Sequence, residues 1–292
     1  MENRELKYFL AVAREESISK AAKVLFVTQP NLSRQMQNLE SEIGAKLFIR
    51  GNRRVTLTET GRLLKKRAEE IVDLYNKTQA EIKMPQDEIE GDITIGSGES
   101  YALSSVIKVV KNMQDEYPKV KFNLCSGDSG IISEKLDNGL IDFGVFIEPF
   151  DVTKYDYLRL PLQDTWGVIM RKDSPLAKKD KIIPEDLWGL PLIRSRQSLG
   201  KNKITEWFKK SEDELNIVAT YNLLYNASIM VREGIGYAVT LDKIINITDS
   251  SDLVFKPLYP ELKSYLNIAW KKYSLLPKCA EIFLEKLKVK LQ

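Results

Sequence analysis

The 292-residue chain contains no histidine and only two cysteines, Cys125 and Cys279. Without histidine there are no Ser-His-Asp or Cys-His triads, no histidine general bases and no His-ligated metal sites. An enzyme would have to work with carboxylate, lysine or backbone chemistry, and no nucleophile–base pair stands out. The two cysteines form no CxxC and no disulfide framework. They read as small buried apolar residues, with a redox switch as the alternative. No apolar run approaches the ~18 residues a membrane span needs, so no membrane partner is expected. The opening MENRELKYFLAVAREES carries acids and lacks the apolar core and cleavage site of a signal peptide, which points to the cytoplasm. Low-complexity segments and internal repeats are also missing. Neither a metal nor a cofactor is expected, and the chain reads as a non-enzyme.

What is present fits an ordinary globular chain, 43% hydrophobic and 29% charged. Its length suggests about two domains. Charge is unevenly placed. Residues 1–84 hold 16 Lys+Arg against 11 Asp+Glu, whereas the remainder holds 28 against 30. A basic end on a nearly neutral body suits a polyanion partner.

In that basic end Leu6, Phe9, Leu10 and Ala13 recur at helical spacing and predict one apolar face of a first helix. Ser17 or Ser19 can cap a second short helix, roughly Ser19 to Phe26. Ala21 and Ala22 permit close approach there, and Leu25 and Phe26 close its apolar face. In VTQPNLSRQ, Pro30 marks a helix start, because the first-turn N–H groups have no intrahelical acceptor. Thr28 is the expected N-cap. Leu32, Met36, Leu39 and Ile43 then form a buried stripe, and Gly44 stops the helix. The exposed first turns present Gln29, Pro30, Asn31, Ser33, Arg34, Gln37 and Asn38. Two short helices joined by a tight turn form a helix-turn-helix, whose second helix meets base edges with its N-terminal residues. Gln and Asn suit adenine, Arg suits guanine, and Ser33 suits a phosphate. A merely solvated helix face remains the alternative. LFIR and RVTLT flank a glycine-containing turn and read as a hairpin. Arg50, Arg53 and Arg54 sit at its tip and base, placed to reach phosphates or the minor groove, or else serving solubility.

The run SISKAAKVLFVTQPNLSRQMQNLESEIGAKLFIRGNRRVTLTETG resembles the winged helix-turn-helix of LysR-type transcriptional regulators. The likeness is carried by the AA pair, LFVTQPNLSRQ, the following LE, G-x-x-LF-x-R and LT-x-x-G, without gaps over some 45 residues.

Thr58 can cap a long helix from Gly61 to about Lys83. Leu64, Ala68, Ile71, Tyr75, Thr78 and Ile82 follow 4-3-4 spacing, a coiled-coil seam. The helix either lies on its own domain or pairs with a second chain, and the resemblance implies the latter. MPQDEIEGD ends it.

Beyond it, GDITIG, KVKFNLCSG, LIDFGVFI, YDYLRLPLQ, WGVIMRK, LPLIRS, LNIVATYN, YAVTL and SYLNIAWKK read as strands. Helices are expected over Ser100–Tyr117, Ser129–Asn138, Leu199–Lys210, Tyr225–Glu233 and Leu276–Leu291, with a short one at Pro184. Alternation of this kind means a parallel-containing α/β sheet. GSGES after a strand invites a dinucleotide-loop reading. Gly96 and Gly98 are there, but Tyr101 replaces the third glycine, so no dinucleotide such as NAD is expected. A helix N-terminus able to hold a polar group remains.

This body resembles the family's effector-binding domain, which is similar to type 2 periplasmic binding proteins. GLIDFGV, DLWGLPLI and MVREGIGYAV are among the segments that carry the likeness. The resemblance implies a multidomain α/β chain. Its N-terminal unit, 1–58, is an all-α winged helix-turn-helix, followed by a linker and dimerisation helix, 59–86. A two-subdomain effector domain, 87–292, completes it. Subdomain I takes about 87–160 and 267–292, and subdomain II about 161–266, with crossovers near Pro161 and Leu266. The implied effector residues are Gly98, Ser100, Tyr101, Ser129, Ser195, Arg196, Gln197, Tyr225, Asn226 and Thr240, any of which could instead be a cap or turn residue. Glu99 opposes an anionic effector, while Arg194 and Arg196 favour one. The implied partners are a pseudo-palindromic double-stranded DNA operator, a small-molecule effector, and further copies of the chain in a homodimer or homotetramer. The rival reading is a non-catalytic small-molecule binding protein whose N-terminal helices serve only for oligomerisation.

Overall fold

The computed structural model describes residues 1–51, 54–83, 89–198, 203–248, 250–273 and 275–291. The chain divides into two compact units, Met1–Gln86 and Asp87–Gln292. Among the described residues no helix is long and apolar enough to cross a membrane.

The first unit contains α1 (Asn3–Glu15), α2 (Ile18–Val24), α3 (Gln29–Ile43), β1 (Phe48–Arg50), β2 (Val55–Leu57) and α4 (Glu59–Lys83). The core-facing side of α1 is Leu6, Phe9, Ala11 and Val12. Leu10 and Ala13, expected on that side, are only half-buried. Ser17, not Ser19, caps α2, accepting from the Lys20 N–H at 3.3 Å. Ala21 and Ala22 are buried where the helices cross. Phe26 does not close the apolar face of α2. It is 96% exposed, because the turn puts its backbone in the left-handed region, φ 56°, and swings the ring outward.

In α3 Leu32, Met36 and Leu39 are buried as their spacing requires. The fourth expected stripe residue, Ile43, is the last residue of the helix, just before the Gly44 cap, and is exposed. A glutamate takes the remaining inward position. Glu40 Oε1 accepts the N–H of Leu47 at 2.8 Å and of Phe48 at 3.2 Å, and Oε2 accepts Lys46 Nζ at 2.9 Å. Burial alone would raise its pKa. The ammonium and the two amides outweigh burial and hold it below its ordinary value. The recognition-type helix is thus tied to the start of the hairpin, in which Phe48 pairs with Leu57, Ile49 with Thr56 and Arg50 with Val55.

Thr58 caps α4, accepting from the Gly61 N–H at 2.9 Å and donating to the Lys46 carbonyl at 2.7 Å. Gly61 is required by space: a Cβ there would lie 2.2 Å from the Leu47 carbonyl oxygen. Cap and glycine together explain the LT-x-x-G pattern. The seam expected on α4 divides. Ala68 is fully buried, and Leu64 packs beside it with Val72, all against the unit's own core. That part of the face is occupied within the unit, Ala68 and Val72 fully and Leu64 in part, and so is not free as the expected seam requires. Ile71, Tyr75, Thr78 and Ile82 remain exposed, with Leu63 and Leu74 beside them.

The second unit is built on β3 (Gly91–Ser97), α5 (Ser104–Glu116), β4 (Val120–Ser126), α6 (Ser129–Asp137), β5 (Phe143–Ile147), β6 (Tyr155–Arg171), α7 (Pro184–Leu187), β7 (Leu192–Ser195), α8 (Lys203–Phe208), β8 (Ile217–Tyr221), α9 (Leu224–Arg232), β9 (Tyr237–Leu241), β10 (Leu253–Pro257), β11 (Lys263–Lys271) and α10 (Lys278–Leu291). The sheet order is β4-β3-β5-β11-β6-β9-β7-β8, with β10 also on β6. YDYLRLPLQ and WGVIMRK are one 17-residue strand, β6, rather than two. β10 has no counterpart in the sequence reading. The expected helix from Ser100 starts as a 3-10 turn, Tyr101–Leu103, before α5. Of the helix expected over Leu199–Lys210, residues 199–202 lie outside the described residues, as do 84–88 of MPQDEIEGD.

β6 and β11 run antiparallel through both halves. Their register shifts between Tyr265 and Asn267, opposite Pro161. A proline in a strand belongs at such an irregularity, because it offers no N–H to the ladder. Phe143, Phe283 and neighbours fill one core on the α5 and α10 side, and Ile132, Leu136 and Phe146 another on the α6 side. Past the shift, separate cores form under α7–α8 and under α9.

Glu40→Ala leaves two buried amides without an acceptor and is expected to destabilise the first unit by about 2–3 kcal/mol. Glu42→Ala, exposed on the same helix, should stay within about 0.5 kcal/mol. Denaturation followed by far-UV circular dichroism reads the loss. Tryptophan fluorescence should not move, since all four tryptophans lie beyond residue 160.

Candidate functional site

Two surfaces carry the residues of interest. On the first unit, Thr28 sits at the N-cap of α3, φ −76° and ψ 143°, with no side-chain cap bond. Pro30 stands in the first turn, where its missing N–H costs nothing. Thr28, Gln29, Pro30, Asn31, Arg34, Gln37 and Asn38 are exposed, and Ser33 is half-buried. Arg34 pairs with no carboxylate among the described residues. The first-turn N–H groups and an unpaired guanidinium therefore point outward together. At the hairpin, Arg54 lies a loose 3.7 Å from Glu16, both well exposed, and Glu16 O accepts the Val55 N–H at 2.8 Å. Arg53 and the side chain of Arg50 lie outside the described residues.

On the second unit the strand ends and helix starts converge. Gly96 is a packing glycine, since a Cβ would fall 2.7 Å from Ile141 Cδ1 and 2.8 Å from Ile132 Cδ1. Ser100 Oγ donates to Asp164 Oδ2 at 2.5 Å and accepts the Ala102 N–H at 3.0 Å. Asp164 Oδ1 takes the same N–H at 3.2 Å. Asp164, on the crossing strand β6, thus occupies the helix start that the sequence left open for a ligand. Its carboxyl pKa is raised, chiefly by burial, against the pull of these hydrogen bonds. Asp128, not Ser129, caps α6, accepting the Ile131 N–H at 2.9 Å. Ser129 is exposed. Glu99 accepts the Leu224 N–H at the start of α9 and so joins the β3 side to the α9 side. Three helix starts are held by the chain's own carboxylates.

Gly98, Ser100 and Tyr101 line one cavity of about 550 Å³, together with Glu99, Lys108 and Lys243. Lys243 Nζ stands 5.4 Å from the Tyr101 ring centroid. A neighbouring cavity of about 620 Å³ shares Tyr101 and Lys243. Ser129, Ser195, Arg196, Gln197, Tyr225, Asn226 and Thr240 line neither. Arg196, Gln197, Tyr225 and Asn226 are exposed, and Ser195 is half-buried, its carbonyl accepting the Ser198 hydroxyl at 2.8 Å. Thr240 is buried beside Tyr221, whose pKa is pushed up to about 12 by burial and whose hydroxyl donates to the Val239 carbonyl at 2.9 Å. Arg194 is not the exposed cation the sequence suggested. It is fully buried, with Nε 3.3 Å from Ser198 Oγ, Nη2 on the Ser198 carbonyl and the Phe208 ring centroid 5.1 Å away. It holds the turn after β7 in place. Sequence reasoning missed Asp164 and Lys243. No local motif marks either, since each acts only where the crossing strand or the β9 end meets the β3 loop.

A helix-turn-helix with a wing, joined to a two-lobed α/β domain with cavities at its strand ends, defines a class: DNA-binding regulators carrying a ligand-binding domain. Residues 3–62 match the bacterial regulatory helix-turn-helix proteins of the lysR family, and residues 86–292 match the LysR substrate binding domain. The chain belongs to the LysR family and is a DNA-binding transcriptional regulator with an effector-binding domain, not an enzyme. It is 28% identical over 296 residues to the HTH-type transcriptional regulator BsdA of Bacillus subtilis, covering 98% of this chain and 99% of that one. It is 28% identical over 283 residues to the Hca operon transcriptional activator HcaR of Escherichia coli, covering 95% and 94%. Its fold matches full-length CbnR, crystallised with its target DNA, at TM-score 0.77 and 20% identity over 99% of this chain and 100% of that one.

Because the Asp164 carboxyl pKa is raised, the folded state disfavours its charged form. Stability from this group is present below the unfolded aspartate pKa, about 4, and is lost as pH rises through the folded value. Asp164→Asn removes that loss. The wild type should therefore fall behind the variant as pH rises from about 4, read by tryptophan fluorescence in denaturant.

Proposed function

We propose that the N-terminal face of α3 reads a pseudo-palindromic operator in double-stranded DNA, with the hairpin arginines on the flanking backbone. One observation carries this reading: Gln29, Asn31, Arg34 and Gln37 are presented outward around open first-turn amides, and Arg34 has no carboxylate partner among the described residues. Gln, Asn and Arg are the side chains that pair bidentately with adenine and guanine edges. Thr28, Pro30 and Ser33 complete the surface, the hydroxyls and amides suiting phosphates. Arg50, Arg53 and Arg54 supply charge for the wing.

The effector, a small molecule, binds where the strand ends of the two lobes meet, at Gly98, Ser100 and Tyr101 with Lys243. Ser129, Arg196, Gln197, Tyr225 and Asn226, all exposed, and the half-buried Ser195 serve as contacts outside that cavity, and the buried Thr240 as a support behind them. Its control rests on different affinities for two arrangements of the oligomer. Glu99 bridges the lobes, so opening or closing them has to break or remake that bond. Residues 1–58, 59–86 and 87–292 serve as reader, linker and sensor, in the cytoplasm. Subdomains at about 87–160 with 267–292, and 161–266, form the two lobes. The exposed α4 stripe of Ile71, Tyr75, Thr78 and Ile82 pairs two chains, and two pairs can form a tetramer.

Mapping the genomic fragments bound by the protein tests the reading. Affinity for a bound fragment should fall steeply with salt, in proportion to the phosphates contacted. Arg34→Ala should cost about 1–3 kcal/mol of preference over random duplex. Arg54→Ala should weaken all duplexes alike and flatten the salt dependence. Equal affinity of the wild type for specific and random duplex is the result that defeats it.

For the stripe, Ile71→Glu with Ile82→Glu should convert the oligomer to monomer in sedimentation, with the far-UV spectrum of the folded chain retained. Unchanged sedimentation would remove α4 as the pairing helix.

A further inference from the structure

Phe26 is disfavoured twice where it stands. Its ring is 96% exposed, and its backbone is held at φ 56°, a region that bulky side chains rarely enter. The position is not loose. The Phe26 N–H donates to the Lys23 carbonyl at 3.2 Å, and the Val27 N–H donates to the Ala22 carbonyl at 3.0 Å, so the turn is pinned on both sides. Asparagine or glycine would sit there with less strain and no exposed ring. The ring packs on no other aromatic among the described residues. Strain maintained together with solvent exposure calls for a role outside the fold.

The surroundings say what kind of role. Phe26 stands two residues before the N-cap of α3, directly beside the exposed Thr28, Gln29, Pro30 and Asn31. Lys20 and Lys23, on α2 just before it in the chain, are also exposed. A protein-docking face needs a contiguous apolar area. Here Val24, 47% exposed, and Pro30 are the exposed apolar residues near the ring in sequence, among polar and basic ones, which is too little for such a face. An aromatic isolated among DNA-facing polar and cationic groups suits the one large apolar feature of the major groove, the C5-methyl of thymine.

We infer that Phe26 is a specificity residue that contacts a thymine methyl at the edge of each half-site. This rests on the DNA-reading role of α3 and adds a base contact to it. The apolar contact is made by the turn, outside the hydrogen-bonding set on the helix, so it selects thymine without a donor or acceptor.

The test uses the full-length protein and a duplex recovered from a random-sequence library by the wild type. Thymines are replaced singly by deoxyuridine, which lacks only the methyl. At one thymine per half-site the wild type should lose about fourfold in affinity, the worth of one methyl group. Phe26→Asn should bind the all-thymine duplex at least as weakly as that and be indifferent to the same replacement. Its affinity for random duplex should be unchanged and its Tm equal to or above that of the wild type. Phe26→Leu should keep part of the methyl sensitivity. The inference is overturned if Phe26→Asn binds as the wild type does, or if it remains as sensitive to deoxyuridine as the wild type. If instead the library yields no preferred duplex for the wild type, the DNA-reading role itself fails and takes this inference with it.

Discussion

A carboxylate inside a small helical core has to be satisfied on every lone pair it turns inward, and Glu40 organises the first unit around that requirement. Its oxygens take the amides of Leu47 and Phe48 and the ammonium of Lys46. Those amides begin the hairpin, so the position of the wing is set by the back of the helix whose front is left free. Phe48 then lies against Phe9 with ring centroids 5.2 Å apart, which locks α1 to the same strand. Thr58 and Gly61 close the other end of the hairpin onto Lys46 and Leu47. A reading surface made of helix and wing is useful only if the two keep a fixed separation. Polar contacts at named atoms do this better than apolar packing, which tolerates sliding.

The second unit solves a related problem with one long strand. β6 and β11 belong to both lobes, and their paired crossing, with its register shift opposite Pro161, joins the two halves of the sheet. Asp164 sits on that crossing and reaches the start of the helix that follows β3. Glu99, from the same β3 loop, reaches the start of α9. The helix starts that would be free anion sites are therefore spent on holding lobes and crossing together. At the effector site proposed above, a ligand entering the cavity beside Ser100 would meet a hydroxyl already bonded to Asp164, and bonding to that hydroxyl would require an exchange of partners.

Much of this was legible in the residues, and the failures have physical reasons. The helix-turn-helix, hairpin and α/β alternation followed from periodicity and turn chemistry, because local signals decide them. Pro30, Gly44 and Thr58 were placed correctly for that reason. The α3 stripe failed at its last member, because Glu40 competes for the inward face through amides that are close only in the folded chain. The α4 seam was misjudged because a 4-3-4 pattern does not say which partner covers it. Leu64 and Ala68 are covered by α1. Arg194 looked like a cleft cation because a strand-end arginine is normally exposed, and nothing local announces Ser198 and Phe208 as its cage. At Ser100 a hydroxyl at a helix start was recognised, but its acceptor lies 64 residues away.

The division of α4 into two faces has a consequence for how the reader is aimed. Leu64, Ala68 and Val72 fix the rotation of the helix about its own axis against α1, and α1 contacts α2 and α3 in turn. Lys7 extends the grip, bonding Asn76 at 3.2 Å and lying 5.7 Å from the Tyr75 ring centroid. Ile71, Thr78 and Ile82 then point in a direction set by helical geometry, about 100° per residue from the buried positions. If that stripe is the pairing seam, the twofold axis of a dimer stands at a fixed angle to both α3 helices. The spacing of half-sites is then built into one helix, and a sensor can change it only by moving whole α4–reader bodies. Small rearrangements at the ligand would be expressed as a change in the separation of rigid readers, and each reader surface would remain intact.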